Sequence, residues 1–199
     1  HRPTRPGSSW ARVTALGSYR EVGRACHYVT TNESRIMIDV GVNIASDTDP
    51  MPFFNAPEAL PLEKLDAVVL THSHLDHAGM LPVLFKYGYR GPVYCTPPTR
   101  DLMLLLQTDY LKVGGAEGKR SAYDMEDIRM CMKHVVDVDW DSTTDIAPDV
   151  KLTFSNAGHI LGSSAVHLNI ADGRHNIVFS GDQKYEKSWL FDPANTRFP

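Results

Sequence analysis

The sequence predicts an α/β fold with β-hairpins at both ends and helices between them. Three observations carry that reading. Short apolar and β-branched runs crowd the two ends of the chain. Apolar residues at helical spacing are confined to the middle, between residues 78 and 134. Polar turn signals separate adjacent runs, Thr31-Asn32-Glu33-Ser34 near the start and Asp172-Gly173 near the end.

Trp10 to Leu16 reads as a strand, and Ala25 to Thr31 with Arg35 to Val40 as a hairpin. Residues 41–65 hold Pro50, Pro52, Pro57 and Pro61 and read as a long loop, a length that is uncommon without a function. Leu65 to Leu70 is a short, mostly apolar run, too short for a helix, so it predicts a buried strand. A helix is expected over 78–87, with Pro82 in its first turn. Pro92 to Cys95 is a brief strand. Leu102, Leu105, Leu106, Tyr110 and Val113 share one face of a helix over 99–112. Ser121 followed by Asp124 resembles a capping box that starts a helix running to about His134. Period-two patterning then predicts strands over Val150 to Ser155, Ser164 to Ile170 and Asn176 to Ser180.

The chain has 199 residues, enough for one domain with a buried core. Its hydrophobic share of 42% is that of a globular protein, and no apolar run approaches the roughly 20 residues of a membrane span. Twenty Lys and Arg against 24 Asp and Glu leave a charge of −4, which excludes nucleic-acid binding by bulk charge. Arg2, Arg5 and Arg12, and Lys112, Lys119 and Arg120, are short basic clusters that read as solvated surface charge. Cys26, Cys95 and Cys131 are odd in number and far apart, which fits a reducing cytoplasm, not a disulfide framework. Residues 1–9, HRPTRPGSS, read as a linker from a missing upstream domain, with an expression remnant as the alternative. The chain from residue 10 to 199 is expected to be the N-terminal part of one domain of a longer protein.

The strongest chemical signal is His72-Ser73-His74-Leu75-Asp76-His77, placed just past the end of a predicted strand. Imidazole and carboxylate are the donors zinc takes, and strand ends are where α/β sheets bind ligands. His72 and His74 are two residues apart, so an extended loop points both the same way. Asp76 and His77 lie a turn further on and can face a second ion. His159, in Gly158-His159-Ile160-Leu161-Gly162, and Asp182, after Gly181, also follow predicted strands.

In this order these segments resemble the metallo-β-lactamase superfamily and, within it, the β-CASP ribonucleases, nearest the archaeal homologues of the cleavage and polyadenylation specificity factor. Ala15-Leu16-Gly17, Arg20-Glu21-Val22-Gly23-Arg24, Met37-Ile38-Asp39-Val40-Gly41, the HxHxDH segment, Gly91 to Thr96, the His159 turn and Gly181-Asp182 carry the likeness. The resemblance implies an αββα sandwich, incomplete at its C-terminal side. It implies two zinc ions, the first held by His72, His74 and His159, the second by Asp76 and His77, with Asp182 bridging both and Asp39 orienting the histidine loop. Asp76, His77 and Asp182 would then sit closest to the chemistry.

The implied activity is endonucleolytic cleavage of RNA, with 5′-3′ trimming, in RNA 3′-end formation or transcription termination. RNA, the transcription machinery, the rest of its own chain and a second copy, through sequence beyond residue 199, are the implied partners. The β-CASP domain, its leaving-group histidine and the last ligand of the second zinc fall outside the chain. The fragment is therefore expected to be inactive alone, with an unpaired edge and an exposed apolar face. Gln183 stands where the family pattern suggests an aromatic residue. A thioester or lactam hydrolase of the same superfamily and a non-catalytic RNA-binding scaffold are the alternatives.

Overall fold

The computed structural model describes residues 8–46 and 48–198. Two sheets lie face to face. The first has six strands in sequence order: β1 (Ala11–Gly17), β2 (Cys26–Thr31), β3 (Arg35–Ile38), β4 (Ala67–Val69), β5 (Val93–Cys95) and β6 (Val135–Asp137). β1 to β3 are an antiparallel meander, and β3 to β6 run parallel. Parallel neighbours need crossovers. Helices α1 (Leu75–Ala78) and α2 (Leu81–Lys86) cross from β4 to β5, and α3 (Pro97–Ala116) and α4 (Met125–Met132) from β5 to β6. The second sheet is antiparallel, in the order β10-β9-β8-β7, from β7 (Thr143–Ala147), β8 (Val150–Asn156), β9 (Ser164–Ile170) and β10 (His175–Phe179).

The pleat divides the core in two. Ile36, Ile38, Ala67 and Val69 pack against Leu152, Phe154, Val166 and Leu168 of the second sheet. Met37, Val68, Val93 and Cys95 face the other way, onto Leu81, Leu84, Phe85, Met103 and Ile128 of the helices. The first sheet is thus buried on both faces, which is why Ala67-Val68-Val69 is apolar without alternation. Each such aliphatic side chain removed from water contributes about 1.5–3 kcal/mol.

The layers are therefore helix, sheet, sheet, and among the described residues no helix covers the far side of the second sheet. The expected exposed apolar face is not seen on β8 and β9, although Val178 of β10 is 40% exposed. Positions on that far side alternate with the core and are largely polar: Lys151, Thr153 and Ser155 on β8, His167 and Asn169 on β9. Thr143 and Thr153 hydrogen-bond across it at 2.9 Å.

Other expectations shift. The helix expected over 78–87 is α2, which starts only at Leu81 with Pro82 in its first turn, where no N–H is needed, and the separate short α1 ends just before it at Ala78. The capping box sits one turn later than Ser121. Asp124 accepts from the N–H groups of Glu126 and Asp127, and Asp127 accepts from that of Asp124. α3 extends past 99–112 at both ends, starting on two prolines that suit donor-free positions. Strands β6 and β7 were not anticipated. β6 has three residues, and β7 buries only Ile146, so neither shows a clean alternation. The linker reading of residues 1–9 and the Arg2 and Arg5 charges fall outside the described residues, apart from Ser8 and Ser9.

Asp149, in the β7–β8 turn, clips the two sheets together. Its carboxylate accepts from Thr31 Oγ1 at 2.8 Å and from Ser34 Oγ, both in the β2–β3 turn. Thr31 and Ser34 are buried, so removing the acceptor strands two hydroxyls. Asp149→Ala is expected to cost about 2 kcal/mol in urea unfolding with an unchanged slope. A loss below about 0.5 kcal/mol would show that the clip is idle.

Candidate metal centre

Parallel pairing of β3, β4 and β5 brings Asp39, His72 and Thr96 to one end of the first sheet. The β8–β9 loop and the end of β10 bring His159 and Asp182 to the same place from the second. Backbone hydrogen bonds fix the meeting. The N–H groups of Val40 and Val42 donate to the carbonyls of His77 (2.7 Å) and Leu75 (2.9 Å), and that of Ala25 to Asp76 (2.8 Å). The strand-end segment 39–42 thus clamps the α1 turn that carries two ligands. Gly41 is required there, because a Cβ would lie 1.6 Å from the Asp76 carbonyl oxygen. The Ser164 N–H donates to the Thr71 carbonyl at 2.8 Å and stitches the second sheet to the histidine loop. Ser163 Oγ accepts the N–H of His159 at 3.1 Å, and Thr96 Oγ1 donates to the Gly162 carbonyl at 2.8 Å.

His72 Nε2 and His159 Nε2 each lie 3.2 Å from His74 Nδ1. Asp182 Oδ2 is 3.9 Å from His72 Nε2 and 3.6 Å from His159 Nε2. All four donor atoms lie within 4.8 Å of one another. Tetrahedral zinc with nitrogen bonds of about 2.0–2.1 Å separates its ligands by about 3.4 Å, so this donor set fits such an ion in both chemistry and spacing. The other Asp182 oxygen, Oδ1, is 3.3 Å from His77 Nε2, and Asp76 Oδ2 is 3.8 Å from that same nitrogen. The six residues singled out in the sequence meet at one site, in two groups that share Asp182.

Asp39 sits behind them, almost wholly buried and with φ at +58°. Its Oδ2 accepts a hydrogen bond from His77 Nδ1 at 2.8 Å, which turns Nε2 toward Asp182. Thr71 was missed in the sequence. Its N–H donates to Asp39 Oδ1 and its hydroxyl to Oδ2, both at 2.8 Å, and the same hydroxyl oxygen lies 3.0 Å from His72 Nδ1. One carboxylate therefore orients two ligand rings, one directly and one through Thr71. The only signal was position: the threonine immediately precedes the first histidine.

Burial pushes the His72 ring down to about 3, helped by the neighbouring His77 charge. Burial acts the same way on His77, but the Asp39 carboxylate and the hydrogen bonds to Asp182 and Asp39 outweigh it and raise this ring to about 10. Burial alone would raise Asp39; the His77 charge and hydrogen bond win, and its carboxyl is lowered. The His77 hydrogen bond draws Asp182 down to about 2 against burial.

Facing sheets with imidazoles and carboxylates gathered at their strand ends define a metallo-β-lactamase-type hydrolase fold. The chain belongs to the metallo-beta-lactamase superfamily, whose domain profile matches residues 28–196. It is 57% identical over 199 residues to the transcription termination factor FttA of Methanosarcina mazei, covering 100% of this chain and 31% of that protein. It is 53% identical over 193 residues to FttA of Methanocaldococcus jannaschii, covering 97% of this chain and 30% of that one. The chain thus spans about a third of these relatives' length. Among solved structures, YhfI of Bacillus subtilis, a metallo-beta-lactamase fold protein, matches with a TM-score of 0.56 and 20% identity over 88% of this chain and 64% of that one. A protein from Enterococcus faecalis V583 matches with a TM-score of 0.64 and 17% identity over 89% of this chain and 44% of that one. At those identities the likeness is one of fold alone.

Two outcomes follow from the Asp39 network. Asp39→Asn should weaken metal binding about 10- to 100-fold in chelator competition, because the His77 and His72 rings lose their orienting acceptor. Unchanged affinity would show that Asp39 only fills a turn. In the metal-free protein His77 holds its proton below about pH 10, whereas His72 is neutral down to about pH 3. Metal must displace the His77 proton, so affinity at that side should fall about tenfold per unit as pH drops from 8 to 6.

Proposed function

We propose that this chain carries the metal centre of a zinc-dependent ribonuclease of the β-CASP type, acting in RNA 3′-end formation or transcription termination. The observation that carries the two-ion reading is the bridging pose of Asp182, with one oxygen toward His72 and His159 and the other toward His77. His72, His74 and His159 would hold the first ion and Asp76 and His77 the second. Zinc bound there would supply Lewis acidity toward a phosphodiester and a nucleophile at neutral pH.

The chain's own residues set the conditions for that chemistry. Asp39 and Thr71 hold the His77 and His72 rings in orientations that present Nε2 inward. Asp182 and His159 are half-exposed at the mouth, so a polymer can reach the centre from solvent, while His72 seals its floor. The two centres are unequal. The first gathers three imidazoles and a carboxylate, and the second has Asp76, His77 and the shared Asp182 among the described residues. Names of the relatives point to transcription and therefore to RNA as the phosphodiester. An archaeal, cytoplasmic setting fits those names and the absence of any helix long and apolar enough to cross a membrane among the described residues.

The thioester or lactam hydrolase reading shares the same ligands and is separated by substrate. Full-length protein loaded with zinc should cleave labelled RNA, leaving 3′-hydroxyl and 5′-phosphate ends. His74→Ala or chelation should reduce the rate at least about 10³-fold. Thioester turnover without RNA cleavage would sink the nuclease reading, and RNA binding without cleavage would favour the scaffold.

A further inference from the structure

Residues 18–24 include the Arg-Glu-Val-Gly-Arg segment and form a loop to which the metal ligands assign no task. Ser18, Arg20, Gly23 and Arg24 have φ values of 65°, 62°, 102° and 44°. Left-handed backbone at three non-glycine residues persists only under outside restraint. Arg24 supplies it. Its Nε and Nη2 donate to the two Glu21 oxygens at 2.6 and 3.1 Å. Its Nη1 donates to the Asp49 carboxylate at 2.7 Å and to the Met51 carbonyl at 3.3 Å, and the guanidinium lies 4.4 Å from the Phe53 ring centre. This clasp ties the loop to the segment around residues 49–53.

The restraint buries nothing at the loop's tip. Val22 is left 86% exposed, and Ile44, in the next loop, 64%. Both line a cavity of about 460 Å³ whose lining continues through Leu106 to His74 and Asp76. Two apolar side chains are thus held in solvent beside two of the proposed metal ligands.

We propose that Val22 and Ile44 form an apolar shelf that receives the nucleobase adjacent to the scissile phosphate of an RNA substrate. The inference rests on the ribonuclease reading. A phosphodiester at the metals carries, a few bonds away, a hydroxylated sugar and a flat base. Of these only the base offers an apolar face, and apolar or aromatic side chains are what proteins lay against unstacked bases. The cavity is roomy enough for one planar ring system, and the charged groups in its lining are the ligands that face the metals. Contact through a face, without hydrogen-bond readout, accepts any base, so the shelf positions RNA without choosing sequence. Arg24 acts through the loop as a positioning residue and touches no substrate.

The test uses the full-length zinc-loaded protein and a set of RNAs, each with one abasic nucleotide at a successive position around the cleavage site. For the parent protein, one abasic position next to the cut should raise KM about tenfold with kcat nearly unchanged, the mark of uniform binding. Val22→Ser/Ile44→Ser, at exposed positions that leave the core intact, should raise KM about tenfold on intact RNA. It should be indifferent to that abasic nucleotide, and its zinc content should match the parent's. Cleavage by the parent that ignores every abasic position overturns the shelf and leaves the nuclease reading standing. So does an equal penalty from the double variant on intact and abasic RNA, which would mean that the shelf meets protein instead of a base. Failure of the parent to cleave any RNA overturns the nuclease reading itself, and the shelf with it.

Discussion

The site depends on one buried carboxylate. Asp39 sits where burial penalises its charge, yet three donors converge on it: the Thr71 N–H, the Thr71 hydroxyl and the His77 ring. A buried carboxylate is tolerable only when satisfied in this way. In return it fixes the angle at which the β3 end meets the loop after β4, and the orientation of two ligand rings. The sharing runs both ways, since the Asp39 charge is also what raises the His77 ring. Breaking this cluster would cost more than one hydrogen bond, because the remaining members would be left buried without partners.

The cores hold the frame on which that cluster works. Parallel register of Ile38 with Val69 sets Asp39 beside Thr71, and the Asp39 N–H donates to the Val69 carbonyl at 2.9 Å. At Gly181, φ is +54° and a Cβ would come within 2.8 Å of the Thr71 side chain. Glycine there lets the chain leaving β10 pass against the histidine loop, so that Asp182 reaches the rings. Small residues in the strand-end turns are thus part of the metal geometry: they set how closely the loops of the two sheets approach.

The sequence exposed the site more fully than the fold. Four ligands stand within six residues, and their types alone announced metal chemistry. His159 and Asp182 had meaning only through ordered resemblance, because a lone histidine and a Gly-Asp turn are ordinary. Thr71 escaped notice, since a threonine before a motif carries no chemical mark until its hydroxyl is seen between Asp39 and His72. Among the elements, β3 was legible as one arm of a hairpin, the fully buried β4 as an apolar run, and β8 and β9 by period two. β6 and β7 were not, because short, half-exposed edge strands have little apolar pattern to read. The helix expected over 78–87 starts late, at Leu81, for a physical reason: the backbone breaks at Met80, whose N–H donates to the Val40 carbonyl as part of the site's clamp.

The ligands are divided between the sheets, and that division links metal affinity to folding. His72, His74, Asp76 and His77 follow β4 of the first sheet, whereas His159 and Asp182 belong to the second. An ion held by both sets is a cross-link between the layers at the end opposite the Asp149 clip. Binding energy at such a site is folding energy, because the unfolded chain holds no preformed cluster. The apolar inter-sheet core positions six side chains closely enough to bind, and an ion bound by them would oppose separation of the sheets at the end where Asp39 is buried with its charge. A bound ion and the sandwich would then stabilise each other, and the residue through which that coupling would pass is Asp182, with one oxygen toward His72 and His159 and the other toward His77.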